Sequence, residues 1–519
     1  MAKRELRSKN AAKTAVRWRR IRQAVQVLAV LLFLYLLVGT RQEGNTYVSH
    51  DLFFRLDPLA GISAMVASRK WLGPLALGGI TLLLALAAGR AWCGWLCPLG
   101  TILDWTPARR PRRNQPNIPS YWRQAKYLIL FTILLAAILG SMTLLVLDPI
   151  TMLFRTIASV FMPAIKFIIT AAETGLYHIG FLQPAIEWFD RLVRGWLLVD
   201  QPFFWPNLVV VSVFAGVLAL NAVRPRFWCR YLCPLGALLG LVSRVAFIRY
   251  SLDEAKCTAC RRCAVSCPTG AIDPERKFAA SPAECTLCLD CMVACPTGAI
   301  SFKGQPGLAT RQRHDPSRRQ FFASIGGAVA GALLLGLIPM LRKRNPSLIR
   351  PPGTSEEQLL SQCIRCGECI RVCPTGGLQP GLSAGSWEGL WSPTLVPRLG
   401  CCDYSCNSCG QVCPTGAIPS LLLSEKRQKV LGVAAIDQER CIPWADGLDC
   451  IVCEEMCPIP QKAIQLEEHE VTGSDGETTT VLCPTVIQDL CIGCGICEEQ
   501  CPLDGEAAIR VYPAGDISL

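Results

Sequence analysis

The chain has 519 residues, room for roughly two to four domains, and carries 52 Lys and Arg against 40 Asp and Glu, a formal net charge of +12. Its mean hydropathy of +0.32 and 51% hydrophobic content exceed what one soluble core needs, so membrane segments are expected. Thirty Cys, four His and no CxxCH argue against a multi-haem cytochrome and leave a disulfide scaffold or a metalloprotein, between which cysteine spacing decides.

Charge divides the chain. Residues 1–350 hold 43 basic and 17 acidic side chains, residues 351–519 hold 9 and 23, so the two parts are expected to face different surroundings. Basic excess beside apolar runs is the positive-inside pattern rather than a nucleic-acid footprint, and an acidic end suits steering of a basic redox partner.

In chain order, residues 1–22 read as a basic cytoplasmic tail and 23–245 as a four-span membrane domain. The spans are expected at about Ala24 to Val38, Trp71 to Ala88, Tyr127 to Leu147 and Phe204 to Val223. The first run is too long for a cleavable signal. Arg109, Arg110, Arg112 and Arg113 place the loop after the second span inside. Residues 148–200, interrupted by Pro163 and Pro184, suit amphipathic or re-entrant helices at the membrane face. Two halves repeat: Asp57-Pro58-Leu59, a span and CGWLCPLG at Cys93 and Cys97; then Asp148-Pro149-Ile150, an insertion, a span and CRYLCPLG at Cys229 and Cys233. Such halves pack about a pseudo-twofold axis with the site between them.

Residues 246–303 form a ferredoxin module. CTACRRCAVSCP and CTLCLDCMVACP are each C-x2-C-x2-C-x3-C-P, the run in which three thiolates bind one 4Fe-4S cluster and the fourth crosses to the neighbouring cluster. Cys257, Cys260, Cys263 and Cys295 hold one cluster; Cys285, Cys288, Cys291 and Cys267 hold the other. Paired zinc sites do not need a third Cys two residues beyond each CxxC.

Residues 304–345 contain SRRQFF and an apolar run, Ser317 to Met340, which together resemble a retained twin-arginine signal anchoring a fifth span. Residues 346–519 are then periplasmic, with four more runs. The ligands are Cys363, Cys366, Cys369 and Cys373; Cys406, Cys409 and Cys413 led by Cys401 or Cys402, with Cys402 chosen; Cys441, Cys450, Cys453 and Cys457, with a loop inserted after Cys441; and Cys491, Cys494, Cys497 and Cys501. A nested pairing, inner run with inner and outer with outer, is expected, with a sequential pairing as the alternative. Cys483 and the unused member of the Cys401–Cys402 pair read as buried spare thiols.

Cysteines at i and i+4 share a helical face, and a following Pro ends the helix. Cys93, Cys97, Cys229 and Cys233 therefore either bind a further iron-sulfur cluster or another soft metal, form redox dithiols, or only pack. No nucleotide fingerprint is present, which leaves quinol as the natural membrane reductant. Its oxidation releases protons, for which His50, Asp57, Asp148, Glu173 and His178 are the titratable groups near the outer face; His50, Asp57, Asp148 and His178 are taken as the catalytic candidates.

Residues 20–302, with their spans, twin CxxxCP motifs and Cys257–Cys295 module, resemble the NapH-type membrane quinol dehydrogenases. Residues 317–519, with SRRQFF, CIRCGECIRVCP and CIGCGICEEQCP, look like the NapG-type or MauM-type ferredoxins. The resemblance implies a fusion: a helical inner-membrane protein with α+β dicluster ferredoxin domains and six 4Fe-4S clusters. It would draw electrons from the quinone pool for a periplasmic reductase, such as a nitrate reductase, or for a c-type cytochrome. CxxxCP proteins also include NosR-like and CcoG-like members, which implies as the alternative an electron donor for maturation or reactivation of a metalloenzyme. Assembly scaffolding with structural clusters is a third possibility.

Overall fold

A computed structural model describes residues 2–39, 49–106, 120–193, 207–304, 326–327, 329–331, 348–381, 389–472 and 478–513. The chain divides into two compact units, Met1–Thr156 with Val209–Pro339, and Ile157–Leu208 with Met340–Leu519.

In the first unit the basic tail is not separate from the first span. With no Pro or Gly before Gly39 to interrupt it, the chain is helical over Ala2–Gly39. Its Lys13–Gly39 part is one of two helices, among the described residues, long and apolar enough to cross a membrane. The other is Pro149–Leu176, in the segment expected to lie along the membrane face. It stays continuous because Pro163 falls in the first turn of Met162–Leu176, where a missing N–H costs nothing, just after a π-helical turn at Ile157–Phe161.

The other expected spans are shorter helices: Gly73–Ala88, Ala125–Ile138 and Asn207–Val223. Each falls below the ~20 residues that a straight crossing needs. The third expected span stops early because the chain turns through Gly140 at φ +79° before a 3-10 turn at Thr143–Leu147. The Arg109–Arg113 loop lies outside the described residues. So do SRRQFF and most of the expected fifth span, of which only 326–327 and 329–331 are described, as helix.

The ferredoxin module of this unit closes on itself. Strand β1 (Ile248–Leu252) runs antiparallel to β4 (Ile300–Gly304), with Leu252 opposite Ile300, and β2 (Ile272–Asp273) pairs with β3 (Ala279–Ala280). Two five-residue helices, Arg262–Ser266 and Asp290–Ala294, carry the third cysteine of each run into a small core with Ile272, Phe278 and Ile300.

In the second unit, β5 (Leu378–Pro380) pairs with β6 (Pro393–Leu395), and β7 (Gly432–Ile436) with β10 (Ile509–Pro513). Two nine-residue strands, β8 (Ile464–Thr472) and β9 (Thr478–Val486), pair antiparallel and fall between β7 and β10 in sequence. One apolar core, including Ile349, Leu359, Leu378, Leu395, Ile418, Ala434 and Ile509, runs through both halves of the array. Because β7 precedes Cys441 and β10 follows Cys501, their pairing folds the third and fourth runs into one module.

Candidate metal centres

In the Cys257–Cys295 module cysteines of the two runs lie beside one another. Cys263 lies beside Cys260 and Cys295, while Cys285 and Cys288 lie beside Cys267. Backbone amides already face the crossing sulfurs: Ala271 N donates to Cys267 Sγ at 3.2 Å and Ala299 N to Cys295 Sγ at 3.3 Å. Between ligands the chain turns through left-handed Ala259, Arg261, Leu287 and Leu289. Such conformations cost non-glycine residues roughly 1–2 kcal/mol each and persist where ligation fixes the loop.

The second array corrects the nested pairing. One small cavity is lined by Cys373, Cys402, Cys406 and Cys409, and another by Cys363, Cys366, Cys369 and Cys413. A third is lined by Cys441, Cys450, Cys453 and Cys501. Cys491, Cys494, Cys497 and Cys457 remain as the fourth set, with Cys494 close to Cys491 and Cys457. The runs pair sequentially, first with second and third with fourth, each fourth cysteine crossing to its neighbour. The reason is topological: the β5–β6 pair lies between the first run and the second and folds one back toward the other, while β7–β10 brackets the third and fourth.

Cys402, not Cys401, lines its cavity; Cys401 is turned toward Glu499. Cys483 is fully buried in β9, as expected of a spare thiol. No disulfide joins any of the thirty cysteines. Burial, then Cys402, Cys373 and Cys406, push the Cys409 thiol up to about 12, and burial with Cys441 and Cys450 pushes Cys453 up to about 12. Thiols so raised stay protonated unless iron displaces the proton. Among the described residues no three His, Cys, Asp or Glu side chains converge on a single-ion site. Four-thiol cavities with amides aimed at sulfur fit 4Fe-4S clusters.

The two modules of the array are joined where their ligands meet. Cys402 N donates to Cys494 O at 2.8 Å. Arg398 clamps the joint, its guanidinium donating to Glu498 O at 3.0 Å, Cys501 O at 3.0 Å and Gly505 O at 2.8 Å. The four cysteine sets therefore stand in the order first run, second, fourth, third. At the start of this line, the helix Glu368–Val372 that carries Cys369 packs against the Ile157–Phe161 turn of the long apolar helix.

In the first unit Cys93, Cys97, Cys229 and Cys233 are all buried, and Cys97 and Cys233 each lie within electrostatic reach of Cys93 and Cys229. Cys97 and Cys233 open the helices Pro98–Trp105 and Pro234–Val242, their sulfurs accepting from Gly100 N at 3.5 Å and Gly236 N at 3.2 Å. Two arginines tie the halves together crosswise. Arg90, three residues before Cys93, donates to Cys229 O at 3.1 Å; Arg226, three residues before Cys229, donates to Cys93 O at 3.0 Å. Both are fully buried and paired, Arg226 with Asp104 at 2.7 Å and Arg90 with Glu284 at 3.2 Å. Sequence reasoning passed over this crossing, although an Arg three residues before the first Cys of each CxxxCP was visible.

The ferredoxin module sits on these cysteines. Trp95 Nε1, inside the first CxxxCP, donates to Leu287 O at 3.0 Å, and a Cβ on Gly94 would lie 2.0 Å from Thr286 O. Glu284 is held between Arg90 and Lys126, whose Nζ is at 2.6 Å. Arg19 and Arg22, from the expected tail, reach Asp290 at 3.4 and 3.7 Å.

Of the four catalytic candidates, the structure brings two together. Asp57 and Asp148 cap equivalent helices, Asp57 Oδ1 accepting from Leu59 N at 2.8 Å and Asp148 Oδ2 from Ile150 N at 2.9 Å. Both are fully buried and lie within electrostatic reach of each other, with Asp57 Oδ2 and Asp148 Oδ1 left without a hydrogen-bond partner. Two carboxyl groups buried side by side disfavour ionisation of both at once. His50 is half-buried in the preceding turn, and His178 is exposed, in the other unit.

Comparison with known proteins agrees on iron-sulfur chemistry. Residues 71–115 and 206–250, which hold the two CxxxCP motifs, each match a 4Fe-4S binding domain. A 4Fe-4S dicluster domain matches 362–418, the first and second runs that the structure pairs, and another matches 277–374, in a register the strand pairing does not share. Residues 250–273 and 484–504 match a 4Fe-4S binding domain. The chain is 36% identical over 209 residues to the methylamine utilization ferredoxin-type protein MauM of Methylorubrum extorquens, covering 38% of this chain and 90% of that protein. Against MauM of Paracoccus denitrificans it is 39% identical over 216 residues, covering 39% and 89%. Against the ferredoxin-type protein NapG of Escherichia coli it is 36% identical over 211 residues, covering 38% and 85%. No solved structure matches.

Proposed function

The chain belongs to the ferredoxin-type protein family of MauM and NapG and is an iron-sulfur electron-transfer protein; on that premise we propose that it oxidises quinol and feeds a periplasmic acceptor. The acceptor is a reductase such as a nitrate reductase, or a c-type cytochrome. When bound, 4Fe-4S clusters supply one-electron carriage, and six cysteine sets are available for them. The long apolar helices anchor the chain in the inner membrane, with the Cys257–Cys295 module cytoplasmic and the Cys363–Cys501 array periplasmic.

One observation carries this reading. The four sets of the array are contiguous through Cys402 and Cys494, and the first set packs on the Ile157–Phe161 turn of a helix apolar enough to lie in lipid. That arrangement gives a line from bilayer to solvent. In the first unit Asp57 and Asp148, two buried carboxyl groups side by side with one oxygen each unpartnered, are the groups to accept protons from quinol. Cys93, Cys97, Cys229 and Cys233, held by Arg90 and Arg226, form a seventh thiol set whose neighbour is the loop Cys285–Cys288.

The test is anaerobic purification of the full chain in lipid nanodiscs, iron analysis, and mixing with a reduced menaquinone analogue. About 24 Fe per chain and quinol-dependent bleaching of the cluster absorbance are expected. Iron-loaded protein that dithionite reduces but quinol does not would overturn quinol as the donor.

A further inference from the structure

We infer that the loop inserted in the third run, with the surface around it, is the docking face through which the array passes electrons to a small basic one-electron carrier, such as a lysine-rich haem protein. This rests on the electron-transfer reading above and names the exit it leaves open.

The order of the cysteine sets makes the third run terminal. The helix that carries Cys369 of the first set packs against the Ile157–Phe161 turn, the second and fourth sets meet at the Cys402–Cys494 hydrogen bond, and Cys441, Cys450 and Cys453, with Cys501, complete the last set at the far end of the line. An outlet belongs at that end, where apolar and acidic side chains are exposed together. Leu448 is 61% exposed, Ile451 42% and Met456 43%, three apolar side chains next to cluster ligands and open to solvent. Around them Asp446, Asp449 and Glu455 are exposed. Lys462 is within 3.7 Å of Glu454 and donates to the carbonyls of Glu454 and Glu455, so it offsets one carboxylate and leaves the rim acidic. An apolar centre within a charged rim is the composition of a transient interface, and a rim of one sign selects a partner of the other.

The loop is also held in place. Trp444 Nε1 donates to Pro484 O at 3.1 Å, and its indole packs against His469 of β8, ring centroids 4.6 Å apart and tilted by 41°. The insertion is thus a braced platform, and the β8–β9 hairpin serves as its support. The transfer itself is one electron from the reduced array to ferric haem; the array is oxidised by one unit, the haem is reduced by one, and no bond or proton moves.

The test uses the full chain, reduced with dithionite and desalted, then mixed by stopped flow with oxidised mitochondrial cytochrome c as the basic probe and with oxidised flavodoxin as the acidic one. Quinol is absent, so failure of the quinol reading leaves this test standing. The cytochrome should react with a second-order rate constant that falls about tenfold or more between low and physiological salt, and flavodoxin should react far more slowly. The triple substitution Asp446→Asn, Asp449→Asn, Glu455→Gln should lower the cytochrome rate about tenfold at low salt and flatten its salt dependence. Leu448→Ser should slow it at all salt concentrations. Iron content should not change in either variant. Equal rates for the two carriers, or a cytochrome rate indifferent to both variants at unchanged iron content, would overturn the assignment. So would a change from dimer to monomer in the triple variant, which would make the face a contact between copies of the chain.

Discussion

Glu284→Gln tests how the ferredoxin module is seated on the CxxxCP cysteines. Glu284 is 6% exposed and faces Arg90 and Lys126, both wholly buried, at 3.2 and 2.6 Å. Removing one partner of a buried ion pair costs about 3–5 kcal/mol, because the opposite charge is left without compensation. A glutamine oxygen keeps one hydrogen bond and returns about 1 kcal/mol. A net loss near 3 kcal/mol corresponds to a roughly hundredfold rise in local opening. Hydrogen–deuterium exchange on the full chain should show that loss of protection in Pro282 to Leu289, with no change for Glu254→Gln, an exposed control in the same module.

The pH dependence gives the sign. Burial pushes the Glu284 carboxyl up, but Lys126 and Arg90 outweigh it and hold the group below the usual glutamate range. The stabilisation from a carboxylate lowered in this way is complete above its unfolded value, about 4.3, and is lost as pH falls through the lower folded value. The two proteins should therefore differ fully at neutral pH and converge only in strong acid. Equal protection at pH 7, or a difference that grows with acidity, would refute the reasoning.

Two further outcomes follow from the cysteine geometry and the carboxyl pair. Cys402→Ser should lose one cluster, about four Fe per chain, while Cys401→Ser and Cys483→Ser should lose none by iron analysis; iron loss from Cys401→Ser alone would reverse the ligand choice. Asp57→Asn should keep the helix cap on Leu59 N and leave thermal stability within about 1 kcal/mol, yet slow quinol oxidation at least tenfold; a normal rate would remove the pair from proton uptake.

The sequence by itself determined the local chemistry. A cluster takes three ligands from one tight turn, so C-x2-C-x2-C is written in consecutive residues, and both Cys257–Cys295 sets could be assigned before any fold was known. The same locality made the CxxxCP repeat and the Asp-Pro repeat visible. What sequence could not decide were contacts that depend on which distant segments meet. Nested and sequential pairing satisfy identical spacings, and only the β7–β10 pairing, between residues more than seventy positions apart, joins the third run to the fourth. Adjacent Cys401 and Cys402 differ in nothing but the direction the backbone gives them. The expected membrane-face segment proved to be a long helix because Pro163 happens to fall in a first turn, where its missing N–H is harmless. The crossing of Arg90 and Arg226 and the seat of Glu284 are likewise tertiary. Burial forces each of these polar groups to find a partner, but the identity of that partner is a property of the packed chain rather than of its neighbours in sequence.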